Sequence, residues 1–149
     1  MTKLSVIKKP EDFPKLFPRE LFVDFLYKHL DEYRDDRKDI EKAIDYAFSD
    51  SDGKGGFIIM AVQDASLVGG VVVNDTGMSG YIPGHILVYI VTHKQHRGQG
   101  IGRKLIERVK KECNGNIALH VEYDNPAKYL YEKAGFTSKY MEMRYKNNL

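Results

Sequence analysis

Arg97, Gly98, Gln99, Gly100, Ile101 and Gly102 stand in a row between an apolar run, His85–Val91 (HILVYIV), and a stretch with helical periodicity. A strand, a glycine turn and a helix N-terminus in that order make an anion site. The first N–H groups of a helix have no intrahelical partner, and the macrodipole adds partial positive charge beside them. Glycine carries no Cβ, so the backbone can approach a phosphate closely. Arg103 and Lys104 fall in the first helical turn, where a cation is unfavourable unless an anion offsets it. The segment from Arg97 to Arg103 therefore reads as a phosphate cradle.

The spacing excludes two common phosphate patterns. A P-loop continues Gly-Lys-Ser/Thr, whereas Gly102 is followed by Arg103-Lys104-Leu105. The dinucleotide pattern G-x-G-x-x-G begun at Gly98 needs glycine at 103, where arginine stands. What remains resembles the GNAT superfamily of acetyl-CoA-dependent N-acetyltransferases. Their Arg/Gln-x-x-Gly-x-Gly/Ala signature is matched by Arg97, Gly100 and Gly102. A second stretch, Asn125–Phe136 (NPAKYLYEKAGF), is similar to the family's segment of N, then A, then LYEK-x-GF. The resemblance is strong from about Ile86 to Phe136 and weak before Phe57.

The resemblance implies direct acetyl transfer from the thioester of acetyl-CoA to an amine, in one ternary complex and without a protein nucleophile. It assigns the coenzyme to Ile90, Val91 and Thr92 on the strand and to Arg97, Gly98, Gln99, Gly100, Ile101, Gly102 and Arg103 in the loop. Asn125 would hydrogen-bond the pantetheine arm, and the strand following the helix would splay from its neighbour to admit that arm. Buried N–H and C=O groups freed by splaying need partners, and the amides of the arm supply them. Tyr131 matches the tyrosine that often protonates the departing thiolate; a free tyrosine, with a pKa near ~10, stays protonated at neutral pH. For the base that takes the ammonium proton, three candidates stay open: His85 at the start of the strand, with an intrinsic pKa near ~6.5, Glu122 at the end of the next strand, and a water chain. A non-catalytic acyl-CoA-binding regulatory module is the alternative, and it would not need Tyr131.

These groups must be positioned by alternating strands and helices. Lys3–Ile7 predicts a strand. Pro18 to about Tyr33 predicts a helix with Leu21, Phe22, Phe25, Leu26, Leu30 and Tyr33 on one face. Ile40, Ala43, Ile44, Ala47 and Phe48 recur at helical spacing. Phe57–Val62 and Leu67–Val73 predict a hairpin. A glycine-rich loop, Asn74–Gly84, precedes the HILVYIV strand, and the helix from Gly100 carries Ile101, Leu105, Ile106, Val109 and Cys113 inward. Asn116–Tyr123 predicts a strand, Ala127–Ala134 a short helix in which Tyr129 packs inward, and Tyr140–Tyr145 a last strand. With the resemblance, this order implies an α/β (α+β) chain forming a single domain over 1–149, with a central mixed, mostly antiparallel sheet flanked by helices.

Composition agrees with a small enzyme. At 149 residues and 42% apolar composition the chain can bury a sizeable core. A net charge of +2 argues against a dedicated nucleic-acid binder. One cysteine, Cys113, excludes an internal disulfide and a Cys-rich zinc site, and no metal is expected. With no signal-like or membrane-length apolar run, the expected setting is cytoplasmic, away from membranes. Monomer and homodimer both remain open. From Glu20 to Asp52 eleven acids face five bases, net −6, and from Lys94 to Cys113 seven bases face two acids, net +5. The basic stretch suits coenzyme phosphates, and the acidic one suits a small cationic amine as acceptor.

Overall fold

The computed structural model describes residues 1–148. Five strands form one sheet in the order β1 (Lys3–Ile7), β2 (Gly56–Gln63), β3 (Ser66–Asp75), β4 (His85–Thr92), β5 (Ile117–Leu119). The first four pair antiparallel, and β4 with β5 parallel, so the sheet is mixed and mostly antiparallel as expected. Asp64 and Ala65 join β2 to β3 with φ of 51° and 60°. Two successive positive φ values give the turn whose twist matches that of antiparallel strands. Both faces of the sheet are covered, so β2 and β3 read as nearly unbroken apolar runs.

Helices α1 (Arg19–Leu30) and α2 (Arg37–Ala47) cover one face. Pro18 caps α1 in extended conformation, and Asp31 (φ 57°) ends it, leading into a 3-10 turn over Asp31–Tyr33. Phe22, Leu26, Ile40 and Ile44 pack there against Ile58, Met60, Val72, Tyr89 and Val91. Helices α3 (Ile101–Glu112) and α4 (Ala127–Lys133) cover the other face. Ile101, Leu105, Ile106, Val109 and Tyr131 pack with Ile59, Val71 and Leu87. Gly69 and Gly70 sit where the two layers press closest, because Leu105 and Phe22 occupy the space of a Cβ on opposite faces. No helix among the described residues is long and apolar enough to cross a membrane.

Four expectations need correction. The strand expected over 116–123 is only Ile117–Leu119, because β4 offers partners over three residues alone. Tyr140–Tyr145 alternates in sequence but forms no strand; Tyr140, Met141, Met143 and Tyr145 are exposed, and none of the five strands pairs with them. Leu21 of α1 points outward, and Val23 and His29 are buried instead. Tyr129 is 58% exposed, with the Lys128 ammonium over its ring.

Candidate active site

The β4–β5 pairing covers His85↔Ile117, Ile86↔Ala118 and Leu87↔Leu119, and stops there. From Val88 to Thr92, β4 keeps its bonds to β3 on one edge and has no strand on the other. This is the splay required of an arm-binding gap. Val88 also interrupts the β3 register, since Val72 pairs with Tyr89 and Val73 with Leu87. A bulge of this kind re-aims the side chains beyond it. Leu87 packs with the α3 layer, whereas Tyr89 and Val91 pack with the α1 layer and Ile90 faces back toward α3.

The open edge runs into the glycine turn. Gly98 and Gly100 have φ of 81° and 84°, and a Cβ on either would meet nothing within 4 Å. Gly100 is the N-cap of α3, and the first intrahelical bond runs from Lys104 N–H to the Gly100 carbonyl. The N–H groups of Ile101, Gly102 and Arg103 therefore have no partner within the helix. Gly102 permits close packing, because a Cβ there would lie 3.0 Å from Leu130 Cδ2 of α4. Thr92, His96, Arg97, Gly98, Gly100, Ile101, Gly102, Arg103 and Leu130 line a cavity of about 240 Å³. Gln99 is exposed at the tip of the turn. Unpartnered donors, two guanidinium groups and backbone open to close approach fit a diphosphate. These are the residues that would hold the coenzyme.

Arg97 has a further partner: its Nη2 donates to the His29 carbonyl at the end of α1, 2.9 Å away. The His29 and His93 rings stack with centroids 4.1 Å apart, and His93 meets His96 edge-on at 5.1 Å. Lys94 N–H donates to His29 Nδ1. Burial, then His93, Lys28, Lys94 and Arg97, push His29 down to about 4. This histidine tie between α1 and the cradle carries no motif, and sequence reasoning missed it.

On the other side of the gap, Asn125 Oδ1 accepts the Ala127 N–H at 2.9 Å and so starts α4. Its side-chain NH₂ remains free to donate to an amide of the arm. Tyr131 lies one helical turn on, 8% exposed within the α3–α4 core, and its hydroxyl has no protein partner among the described residues. Burial alone pushes it up to about 12. Burial in the core and a hydroxyl free to donate are compatible at this position.

The two base candidates lie apart. Glu122 is exposed in the loop after β5; burial first, then Asp124, Glu32 and least of all Glu122, raise the pKa of Tyr33. Tyr33, at the end of the α1 turn, donates to the Asp124 carbonyl at 3.2 Å, so the acidic segment and the β5–α4 loop meet here. His85 stands at the closed end of the β4–β5 pair, about 23 Å from Thr92 at the usual strand rise. Its Nδ1 faces Asp75 Oδ1 at 2.8 Å and its Nε2 faces Asn114 Oδ1 at 3.0 Å. It lines a separate cavity of about 440 Å³ with the 77–80 loop, sharing no residue with the cradle.

Residues 54–138 match the Acetyltransferase (GNAT) domain, which is more than half of the chain. The chain belongs to the GNAT family. It is an acetyltransferase of a family whose co-substrate is acetyl-CoA. Its fold recurs in a ribosomal-protein-alanine N-acetyltransferase from Brucella melitensis biovar Abortus 2308 (17% identity, 99% of both chains, TM-score 0.69). It recurs also in an aminoglycoside acetyltransferase from an uncultured soil metagenomic sample, solved with sisomicin (14% identity, 99% of this chain and 96% of that one, TM-score 0.64). A transcriptional regulator from Bacillus halodurans C-125 shares it too (22% identity, 97% and 100%, TM-score 0.62). Curated proteins yield no significant match by sequence. No cluster of metal-binding side chains occurs among the described residues of this GNAT acetyltransferase.

Proposed function

We propose that this GNAT acetyltransferase moves an acetyl group directly from acetyl-CoA to a primary amine while both are bound. The observation that carries the proposal is the open β4 edge, Val88–Thr92, leading into the glycine-capped N-terminus of α3, with Tyr131 buried in the core that α3 and α4 share. The free amine nitrogen forms a bond to the thioester carbonyl carbon, the C–S bond breaks, and the sulfur leaves as a thiolate. The Tyr131 hydroxyl gives that sulfur its proton. Held up near 12 by burial, it stays protonated across the working pH range. Ile90, Val91 and Thr92 offer backbone groups to the arm, Asn125 an amide donor, and Arg97 to Arg103 the diphosphate seat.

For the base, the placement of Glu122 at the junction of the β5–α4 loop and Tyr33 supports it over His85, whose ring nitrogens are both engaged at the far end of β4. Water relayed to Glu122 serves the same role. The acceptor proposed is a small cationic amine, because the −6 stretch builds α1, α2 and the loop beside the gap. A regulatory acyl-CoA sensor is the second reading, favoured by the likeness to a transcriptional regulator. Tyr131→Phe separates the two. It should keep coenzyme A affinity and lower turnover by roughly 10²–10⁴, the range for a lost general acid. Unchanged turnover with chemistry rate-limiting would remove Tyr131 from the mechanism.

A further inference from the structure

Asp35 lies in the loop between α1 and α2, exposed to solvent, and its Oδ2 accepts a 2.6 Å hydrogen bond from the Tyr89 hydroxyl. Tyr89 belongs to the β4 stretch whose outer edge is open, and the Val88 bulge turns it out of the α3 layer into the α1–α2 layer. A residue beside the acyl-transfer gap thus orients a surface carboxylate. The neighbouring cations are turned elsewhere. Arg34 and Arg37 stack on the Tyr27 ring at 4.3 and 5.4 Å, and Arg37 also pairs with Asp24. Arg144 contributes charge near Asp35 but pairs with Glu142. Asp35 itself makes no ion pair among the described residues. One carboxylate oxygen is spent on Tyr89, and Oδ1 has no protein donor among the described residues. Asp39 adds negative charge on the same side, and Tyr89 is held protonated by burial and by Asp35, so it remains a donor.

The attacking nitrogen must reach the thioester in the plane of the sheet, between β4 and β5. Asp35 stands a full tyrosine side chain above that plane. It is too far to hold the reacting nitrogen and well placed for another cation a few carbon atoms along the same molecule. Resting on the acetyl-transfer reading, we propose that Asp35, positioned by Tyr89, seats a second ammonium group of the acceptor, so that diamines and polyamines are preferred over monoamines.

The test compares kcat/KM for butylamine, putrescine and spermidine at saturating acetyl-CoA, with coenzyme A affinity as the control for folding. Wild type should favour the two polycationic amines by about 10-fold or more. Asp35→Asn should shrink that preference about 10- to 100-fold, the size of a lost charge-assisted hydrogen bond, chiefly through KM. Tyr89→Phe should shrink it less, because the carboxylate survives but loses its orientation. A wild type without the preference, or an Asp35→Asn enzyme in which all three amines fall in parallel, overturns the proposal. If no amine is acetylated, calorimetric titration of spermidine into the coenzyme A complex decides separately. Binding abolished by Asp35→Asn keeps the cation seat while the transfer reading fails, and absence of binding in wild type rejects the seat.

Discussion

At φ +84° an L side chain is strained, and Gly100 adopts that conformation where the coenzyme's diphosphate would be nearest. The space around its absent Cβ is open, with no protein atom within 4 Å. Gly100→Val should therefore weaken coenzyme A binding strongly, since a β-branched residue resists the turn and fills the cradle. Calorimetry on the folded variant checks this, and wild-type affinity would place the phosphates elsewhere. Tyr131 and Cys113 contrast at the same scale. Burial raises both, Tyr131 to about 12 and Cys113 to about 11. Burial keeps a tyrosine useful as a proton donor and keeps a thiol unreactive. The two base candidates, His85 and Glu122, differ by placement, and no spacing in the sequence could show that both nitrogens of His85 are engaged.

At the scale of elements, α1 and the cradle are tied through His29, His93 and the Arg97 bond to the His29 carbonyl. His29 is pushed down from an ordinary value near 6.5 to about 4. Its neutral form is favoured by folding, so the stability it contributes is present above about pH 6.5 and lost as pH falls toward 4. The midpoint of thermal unfolding should drop over that window, and His29→Gln should flatten the drop; equal acid sensitivity in the variant would reject the tie. Sequence periodicity gave both hairpin strands with little error because they pair with each other across a two-residue turn, and β1 because its short apolar run pairs along its whole length with β2. It failed for Tyr140–Tyr145, where alternation is present but β5, three residues long, supplies no extended edge. Strict alternation along β4 would also place Leu87 and Tyr89 on one face. The Val88 bulge, which has no sequence mark, separates them.

At the scale of the molecule, the acidic stretch of net −6 and the basic stretch of net +5 form different parts of the site's surroundings. The basic helix α3 opens at the cradle, and the acidic α1–α2 segment faces Tyr89 and the β5–α4 loop. Long-range attraction of a cationic amine is screened over about 10 Å at 0.1 M salt. Rising ionic strength should therefore lower kcat/KM for the amine while coenzyme saturation is maintained. A salt-independent value, or a best substrate that is neutral or anionic apart from its reacting nitrogen, would set the charge argument aside. The GNAT assignment was legible because two motifs, around Gly100 and Tyr131, stand in the family's residues and order along the sequence, and the helices that carry them pack together. The acceptor side was not, because its contacts join residues more than fifty positions apart, as in Tyr89 with Asp35 and Tyr33 with Asp124.

The most direct measurement is amine-dependent release of the coenzyme thiol from acetyl-CoA, across polyamines, aminoglycosides, amino acids and peptides, with the product weighed by mass spectrometry. The expected result is release in one-to-one proportion with an acetylated amine, largest for a small polycation. Tight coenzyme binding without amine-dependent release across the whole panel would contradict direct acetyl transfer and leave the sensor reading standing.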